Sequence, residues 1–308
     1  MRIWIDTDIG SDVDDALTLA YILGHPGFEL VGISTVFGDV ALRSRIASAL
    51  LERAGAEKVP VLDGMGVPLT ARRRGIMFGN EGVGLLDDPD PVLRLAEEEG
   101  AEARIGAIIA AMAEAEPDVV LAIGPLTNLG VMVQMGAELP PLALMGGKFS
   151  DVAIEYVVGE VGEWNWFSDP DAARLVLDAA VGAPVRPLVL PAEITFQTRL
   201  ADGDIDKLAA AGDDLSGALA VLCQGWLDLQ RVEFERSDPR VALHDPLTAA
   251  VLVRPQLCSF EPRRVTIEDS GAAVDQPGEA NVDVAVAVDP RAVRDEIMAT
   301  LLGGDSAG

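Results

Sequence analysis

The chain has 308 residues, 49% of them apolar, enough for one large α/β domain or two small ones with a sizeable core. Its 50 acids against 23 bases give a formal net charge of -27, which sets nucleic-acid backbones and anionic membranes aside as partners by repulsion. Cys223 and Cys258 make neither a disulfide framework nor a metal cluster and read as buried thiols. Three of the bases are lysine (Lys58, Lys148, Lys207), a bias that a salt-adapted acidic surface and a GC-rich genome would produce alike. In chain order, Ile3 to Ile5 reads as a strand and Ala16 to Leu23 as a helix. Leu30 to Val36 is a strand, Arg43 to Ala54 a helix and Val59 to Leu62 a short strand. Ala103 to Ala115 reads as a helix, followed by strands at Val119 to Ile123 and Leu142 to Met145. Beyond residue 190 the pattern loosens. Pro187 to Pro191 reads as a strand and Ile205 to Leu229 as largely helical. Ile267-Glu268 and Val282 to Val288 are late strands, and Val293 to Leu302 is a closing helix.

This alternation predicts βαβ units and one α/β domain over 1–308, with a mostly parallel, Rossmann-like sheet flanked by helices. Such sheets hold their ligands beyond the carboxyl ends of the strands, so the polar residues after each strand are the ones to inspect. Asp6 ends the first apolar run too early for a secretory signal. The apolar run Ile108 to Ala113 falls far short of the roughly 18 residues of a membrane span. A soluble cytoplasmic protein is the expectation. The run Glu97-Glu98-Glu99 reads as a solvated helix face, and His25, between Gly24 and Pro26-Gly27, as a loop residue.

The stretch after the first strand, Asp6-Thr7-Asp8-Ile9-Gly10-Ser11-Asp12-Val13-Asp14-Asp15-Ala16-Leu17, carries five carboxylates in ten residues. Crowded carboxylates raise each other's pKa, a cost that a hard cation relieves, and oxygen ligands of this kind suit calcium or magnesium. Asp14 and Asp15 also stand where a helix begins, and acids there cap free N–H groups and oppose the helix dipole, which would account for one or two of the five but not all. An EF-hand is excluded, because Leu17 or Leu19 occupies the position of its bidentate glutamate. A metal-dependent phosphatase also places Asp-x-Asp after its first strand. Lys148 would serve as its lysine, but no acidic partner motif follows.

Four further segments complete a pattern: Ile123-Gly124-Pro125-Leu126-Thr127-Asn128, Met145-Gly146-Gly147, Glu163-Trp164-Asn165-Trp166-Phe167-Ser168-Asp169-Pro170 and His244-Asp245-Pro246-Leu247. Together with the Asp-rich opening, and in this order, they resemble the inosine-uridine nucleoside hydrolase family over nearly the whole chain. The resemblance implies a calcium-dependent N-ribohydrolase that converts a ribonucleoside to ribose and free base. Asp8, Asp15, Asp245 and the backbone carbonyl of Ile123 would hold Ca²⁺, leaving room in its shell of roughly six to eight oxygens for water and ribose hydroxyls. Asp8 would take the proton of the Ca²⁺-bound water as general base, and the attack on C1′ would pass through an oxocarbenium-like state. Asp14, Glu163 and Asn165 would grip the ribose hydroxyls. His244 could protonate the departing base, a role that an ordinary histidine pKa suits. A homo-oligomer, dimer or tetramer, is implied too. A non-catalytic, calcium-dependent ribose- or nucleoside-binding protein is the alternative from another class, and it would require loss of Asp8 or His244.

Three features depart from the pattern. The opening is two residues longer than its usual form, so Asp12 is an extra carboxylate, free to replace Asp14 on the ribose, join the metal shell or shape the loop. Gly38-Asp39 stands where many relatives carry Gly-Asn; an aspartate there can accept from a ribose hydroxyl but cannot donate as an amide can. In the glycine-rich segment from Gly75 to Gly84, Phe78 takes the place of a histidine, either as a packed residue or as an apolar wall beside the base. Trp226, Gln230 and Phe234 recur at helical spacing, a stripe that is more often core than binding surface. Trp226 and Met145 complete the candidates. The identity of the base is left open.

Overall fold

A computed structural model describes residues 1–71, 73–74, 77–89, 100–150 and 162–303. The Glu97–Glu99 run, and Gly75 and Ile76 of the glycine-rich segment, lie outside the described residues. The first half alternates β1 (Arg2–Thr7), α1 (Asp14–Gly24), β2 (Glu29–Thr35), α2 (Val40–Arg53) and β3 (Val61–Asp63), then α3 (Ala101–Ala115), β4 (Val119–Ala122), α4 (Thr127–Gln134) and β5 (Leu142–Met145). Next come α5 (Trp164–Ser168), α6 (Pro170–Ala179), β6 (Leu188–Leu190), α7 (Ala192–Thr195), α8 (Asp204–Ala210), α9 (Asp214–Val232) and α10 (His244–Val253). The chain closes with β7 (Cys258–Arg263), β8 (Val265–Ile267), β9 (Ala273–Asp275), β10 (Val282–Val288) and α11 (Pro290–Leu301).

Among the described residues eight strands form one sheet in the order β3-β2-β1-β4-β5-β6-β10-β7, parallel except for the antiparallel β7 edge. This is one α/β domain with a mostly parallel central sheet. Side chains alternate across it. Ile3 and Ile5 face a core shared with α1, α2, α10 and α11, while Trp4, Val120 and Leu144 face α3, α4 and α6. From β1 the chain winds outward one way through β2 and β3, and from β4 the other way through β5 and β6. The order reverses between β1 and β4, which opens a crevice at their carboxyl ends.

Several helix starts follow directly from the sequence. Asp39 caps α2 by accepting from the Leu42 N–H at 3.0 Å, and Asp169 and Asp289 cap α6 and α11 ahead of Pro170 and Pro290. The helical stretch expected from Ile205 to Leu229 divides. Gly212 adopts φ +85°, and Asp213 restarts the helix by accepting from the Ser216 N–H at 2.8 Å. Helices α4 and α10 escape a periodicity search because they are buried almost all round and show no polar face. His25 does sit in the α1–β2 turn, but buried, with its Nδ1 accepting from Gly27 N–H and its Nε2 3.5 Å from Glu296. Cys223 and Cys258 are buried free thiols. Among the described residues no helix is long and apolar enough to cross a membrane.

Candidate active site

Asp8 follows β1 directly, and Ile123 follows β4, so both reach the crevice at the point where the strand order reverses. Gly124 makes that approach possible: a Cβ there would lie 2.9 Å from both the backbone N and the Oδ1 of Asp8. Asp14 and Asp15 open α1, and Asp245 enters from the first turn of α10 with its backbone N–H 3.4 Å from Asp14 Oδ2. Carboxylate oxygens of Asp14, Asp15 and Asp245 lie within 4.8 Å of one another. Asp14, which the resemblance assigns to the ribose, thus shares the cluster, while Asp8 stands beside it. The loop is braced from behind by the fully buried Arg43 of α2. Its guanidinium donates to the carbonyls of Phe37 (2.6 Å), Asp8 and Ile9 (2.9 Å), and lies 3.3 Å from Ser11 Oγ. Thr7 Oγ1 donates to Asp15.

Burial raises the pKa of Asp8, Asp14, Asp15 and Asp245, and repulsion adds to the rise, from Glu81 at Asp8 and from neighbouring aspartates at the other three. Asp12 is pushed up to about 7 by burial and by Asp15 and Asp8, although it accepts from the Val13 N–H at 2.5 Å. Among the described residues Arg43 offsets the raised pKa of Asp8 and Asp15, and its donors are engaged by the Phe37, Asp8 and Ile9 carbonyls, Ser11 and Met77. Hard oxygen donors in excess, with too little positive charge around them, fit a divalent cation. Asp8, Asp14, Asp15 and Asp245 are the residues that could hold it. The Ile123 carbonyl accepts from Asn165 Nδ2 at 3.0 Å and keeps a second lone pair. Behind Asp8, Asp6 is fully buried, accepts from Ser34 Oγ (2.5 Å) and Asn128 Nδ2 (2.7 Å), and is raised by burial to about 7.

Glu163 caps α5. Its Oε1 accepts from Asn165 N–H at 2.6 Å, and its Oε2 from Gly147 N–H (2.8 Å) and Trp166 N–H (2.9 Å). Burial nonetheless lifts its pKa to about 7. Asn165 Nδ2 donates to Ile123 and Met145 carbonyls, so its Oδ1 is the atom left for a ligand. The glycine pair before Lys148 is a packing requirement. The Trp166 ring lies flat enough on it that a Cβ at Gly146 or Gly147 would come within 2.3 or 2.5 Å of the indole.

Above this floor is a cavity of about 630 Å³, bounded by Phe78, Trp164, Trp226 and Phe234. Phe78 meets Trp164 at 5.9 Å and Phe234 at 5.6 Å between ring centroids, and Trp226 meets Phe234 at 6.0 Å. Phe78, 38% exposed, lines the cavity, and the Trp226–Gln230–Phe234 stripe lines it too, with Trp226 also packed against the core. His244 lines the same cavity. Its Nδ1 lies 2.7 Å from Thr195 Oγ1, and burial lowers its pKa to about 4, so the free ring is neutral at neutral pH rather than titrating there. Asp39 lies outside the lining, its carboxylate engaged as the α2 cap, and Lys148 lies outside it as well.

A family model described as inosine-uridine preferring nucleoside hydrolase matches residues 3–295. The chain belongs to this family. It is 30% identical over 286 residues to uridine nucleosidase 1 of Arabidopsis thaliana, covering 89% of this chain and 80% of that protein. It is 29% identical over 287 residues to a pyrimidine-specific ribonucleoside hydrolase of Shewanella baltica, covering 87% and 82%. A purine-preferring ribonucleoside hydrolase from Gardnerella vaginalis shares the fold with a TM-score of 0.78, at 24% identity and 98% coverage of both chains. A plant nucleoside hydrolase does so with a TM-score of 0.76, at 23% identity and the same coverage. Nucleoside hydrolases are hydrolases of N-glycosidic bonds, and this chain is an enzyme of that class.

The site of this nucleoside hydrolase includes residues that sequence reasoning left out. Glu81 is fully buried and accepts from Ser11 Oγ (2.8 Å), Phe78 N–H (2.7 Å) and Gly79 N–H (2.8 Å), so it ties the wall segment to the acidic loop. Gln230 pairs with the backbone of Arg240 through both amide atoms. Thr195, Phe196 and Arg43 carried no motif. The advance signals were the place of Gln230 in the helical stripe and, for Glu81, an acid inside a glycine-rich segment.

Proposed function

We propose that the chain hydrolyses the N-glycosidic bond of ribonucleosides to ribose and free base, with Ca²⁺ as its metal. The observation that carries this reading is the acidic floor, where Asp8, Asp14, Asp15 and Asp245 meet Glu163, Asn165 and the Ile123 carbonyl under an aromatic wall. Asp8, Asp15, Asp245 and Ile123 O are the proposed ligands, with Asp14 close enough to join them. A cation bound there supplies positive charge that relieves the carboxylates and acidifies water.

Asp8 accepts the proton of the attacking water. The water oxygen bonds to C1′ while the C1′–N bond breaks through an oxocarbenium-like state, and the bonding pair leaves with the base. Glu163, Asn165 and Asp14 hold the ribose hydroxyls, so C1′ is presented to the water. The aromatic wall stacks on the base, and His244 offers it a ring nitrogen. The names of the sequence relatives support uridine and other pyrimidine nucleosides as the first substrates to try. Assembly as a homo-oligomer belongs to the same reading.

The test is reducing-sugar release from inosine, guanosine, adenosine, uridine and cytidine, with and without EDTA, followed by return of Ca²⁺ or Mg²⁺. EDTA-sensitive release restored by Ca²⁺ is expected. No release from any nucleoside, despite bound Ca²⁺, would favour a nucleoside-binding protein.

A further inference from the structure

His244 is the first residue of α10, and its own helix does not orient the ring. The orientation comes from the α7 turn. Thr195 Oγ1, on a fully buried residue, lies 2.7 Å from His244 Nδ1, and the Phe196 ring meets the imidazole edge-on at 4.4 Å between centroids. Turning the ring would break the first contact and collide with the second.

The turn itself is clamped to the start of α10. Thr198 Oγ1 lies 2.8 Å from the Thr195 carbonyl and 3.2 Å from the Leu243 carbonyl, and Leu243 N–H donates to the Thr198 carbonyl at 3.0 Å. Thr195 N–H donates to Pro191 at 3.0 Å. Thr195 therefore has little freedom to follow the imidazole; the imidazole must follow Thr195.

A hydroxyl carries a single proton: Thr195 Oγ1 either donates to Nδ1 at 2.7 Å, or donates to the Ala192 carbonyl at 3.3 Å and accepts from an Nδ1–H. The contact to Nδ1 has the length usual for a hydroxyl donor and is shorter than the roughly 2.9–3.0 Å usual for an N–H donor, while the Ala192 contact is long for either. We propose that Thr195 is the positioning residue of the site: its hydroxyl donates to His244 Nδ1, which holds the imidazole in the tautomer with its proton on Nε2, available to the departing base. The hydrogen bond at one ring nitrogen decides the state of the other. As the C1′–N bond breaks, its electron pair passes to the base, and negative charge builds on the base heteroatoms. The Nε2–H hydrogen bond stabilises that charge while its proton stays on the ring. The base then takes a proton from solvent, which balances the one that water gives to Asp8. A neutral imidazole acting as a hydrogen-bond donor is a known way to stabilise developing negative charge.

The proposal rests on the nucleoside hydrolysis reading and assigns the donor atom within it. The chain has two histidines, so ¹⁵N-histidine labelling and long-range ¹⁵N–¹H spectra read both tautomers, with a His244→Gln sample for assignment. Wild type should show His244 protonated at Nε2 with Nδ1 bare, and Thr195→Val should lose that preference while Thr195→Ser keeps it. An Nδ1–H tautomer in wild type would overturn the proposal.

In kinetics, Thr195→Val should lower kcat on nucleosides about 10- to 100-fold, the scale expected when a partner that orients a functional histidine is lost. KM should stay within about twofold, and Thr195→Ser should restore most of kcat. Hydrolysis of 4-nitrophenyl riboside, whose leaving group departs unaided, should change little. Equal losses on both substrates, or none on either, would refute the positioning role. Wild type inactive on every nucleoside would instead sink the hydrolysis reading, and the spectra would still report the tautomer.

Discussion

Asp8, Asp14 and Asp15 come from a single passage of chain between β1 and α1, whereas Phe78, Trp164, Trp226 and Phe234 come from three segments far apart in sequence. The two groups are also held differently. Backbone hydrogen bonds, the close approach at Gly124 and the buried Arg43 fix the floor. The wall rests on ring contacts near 6 Å, Glu81 and Gln230, and its Phe78 and Phe234 are partly exposed. A floor this rigid suits the reacting atoms, where a small misplacement is costly. A wall of partly exposed rings suits recognition of a flat base.

This contrast predicts that floor substitutions act on kcat and wall substitutions on KM. The largest effect is expected at Asp8→Ala, where ribose release should fall by about 10³- to 10⁴-fold with the loss of the general base. Wild-type-like turnover would break the assignment. His244→Ala should cost about 10²-fold on nucleosides but little on 4-nitrophenyl riboside, since it removes help to the leaving group only. A uniform small loss on every substrate would move His244 out of that role.

At the wall, Phe78→Ala should raise KM about tenfold with kcat within about threefold, because stacking acts on bound substrate and transition state alike. A dominant fall in kcat would show that wall and floor are coupled more tightly than their contacts indicate. Glu81→Gln, read by the same steady-state kinetics, sharpens this. It keeps an acceptor for Ser11 or Phe78 but loosens the tie between the two regions, and should raise KM only about two- to threefold.

The floor also makes stability depend on pH. Asp6, Asp12 and Glu163 are raised from ordinary carboxylate values to about 7, with Asp14, Asp15 and Asp245 raised as well. A raised carboxyl pKa means that the folded state binds more protons than the unfolded one between about pH 4 and 7. That stabilisation is complete at acid pH and is lost as pH rises through 7. The two histidines, with lowered pKa values, shift the other way below pH 6.5, but they are outnumbered. Metal-free protein should therefore melt several degrees higher at pH 5 than at pH 8 (about 3–5 °C), and Ca²⁺ should raise the pH 8 value more. Calorimetry showing a higher Tm at pH 8 without metal would mean that the carboxylates repel less than their placement implies.

The sequence by itself determined the parallel sheet and the crowding of aspartates after its first strand. Apolar runs alternating with helical patterns specify βαβ units, and ligand groups right after strand ends are carried to one edge by the fold's own winding. Asp8, Asp15, Ile123, Glu163, Asn165 and Asp245 are named by resemblance to the family's short motifs, and the structure places all six along one cavity. Tertiary structure decided the rest. It turned the Trp226–Gln230–Phe234 stripe toward the cavity, split the stretch from Ile205 to Leu229 at Gly212, and engaged Asp39 as a helix cap. It also set Arg43 beneath the acidic loop, linked Glu81 to Ser11 and brought Thr195 to His244. The physical reason is range: hydrophobic period and capping act within a few residues, whereas a hydrogen bond across tens of residues depends on how whole elements pack.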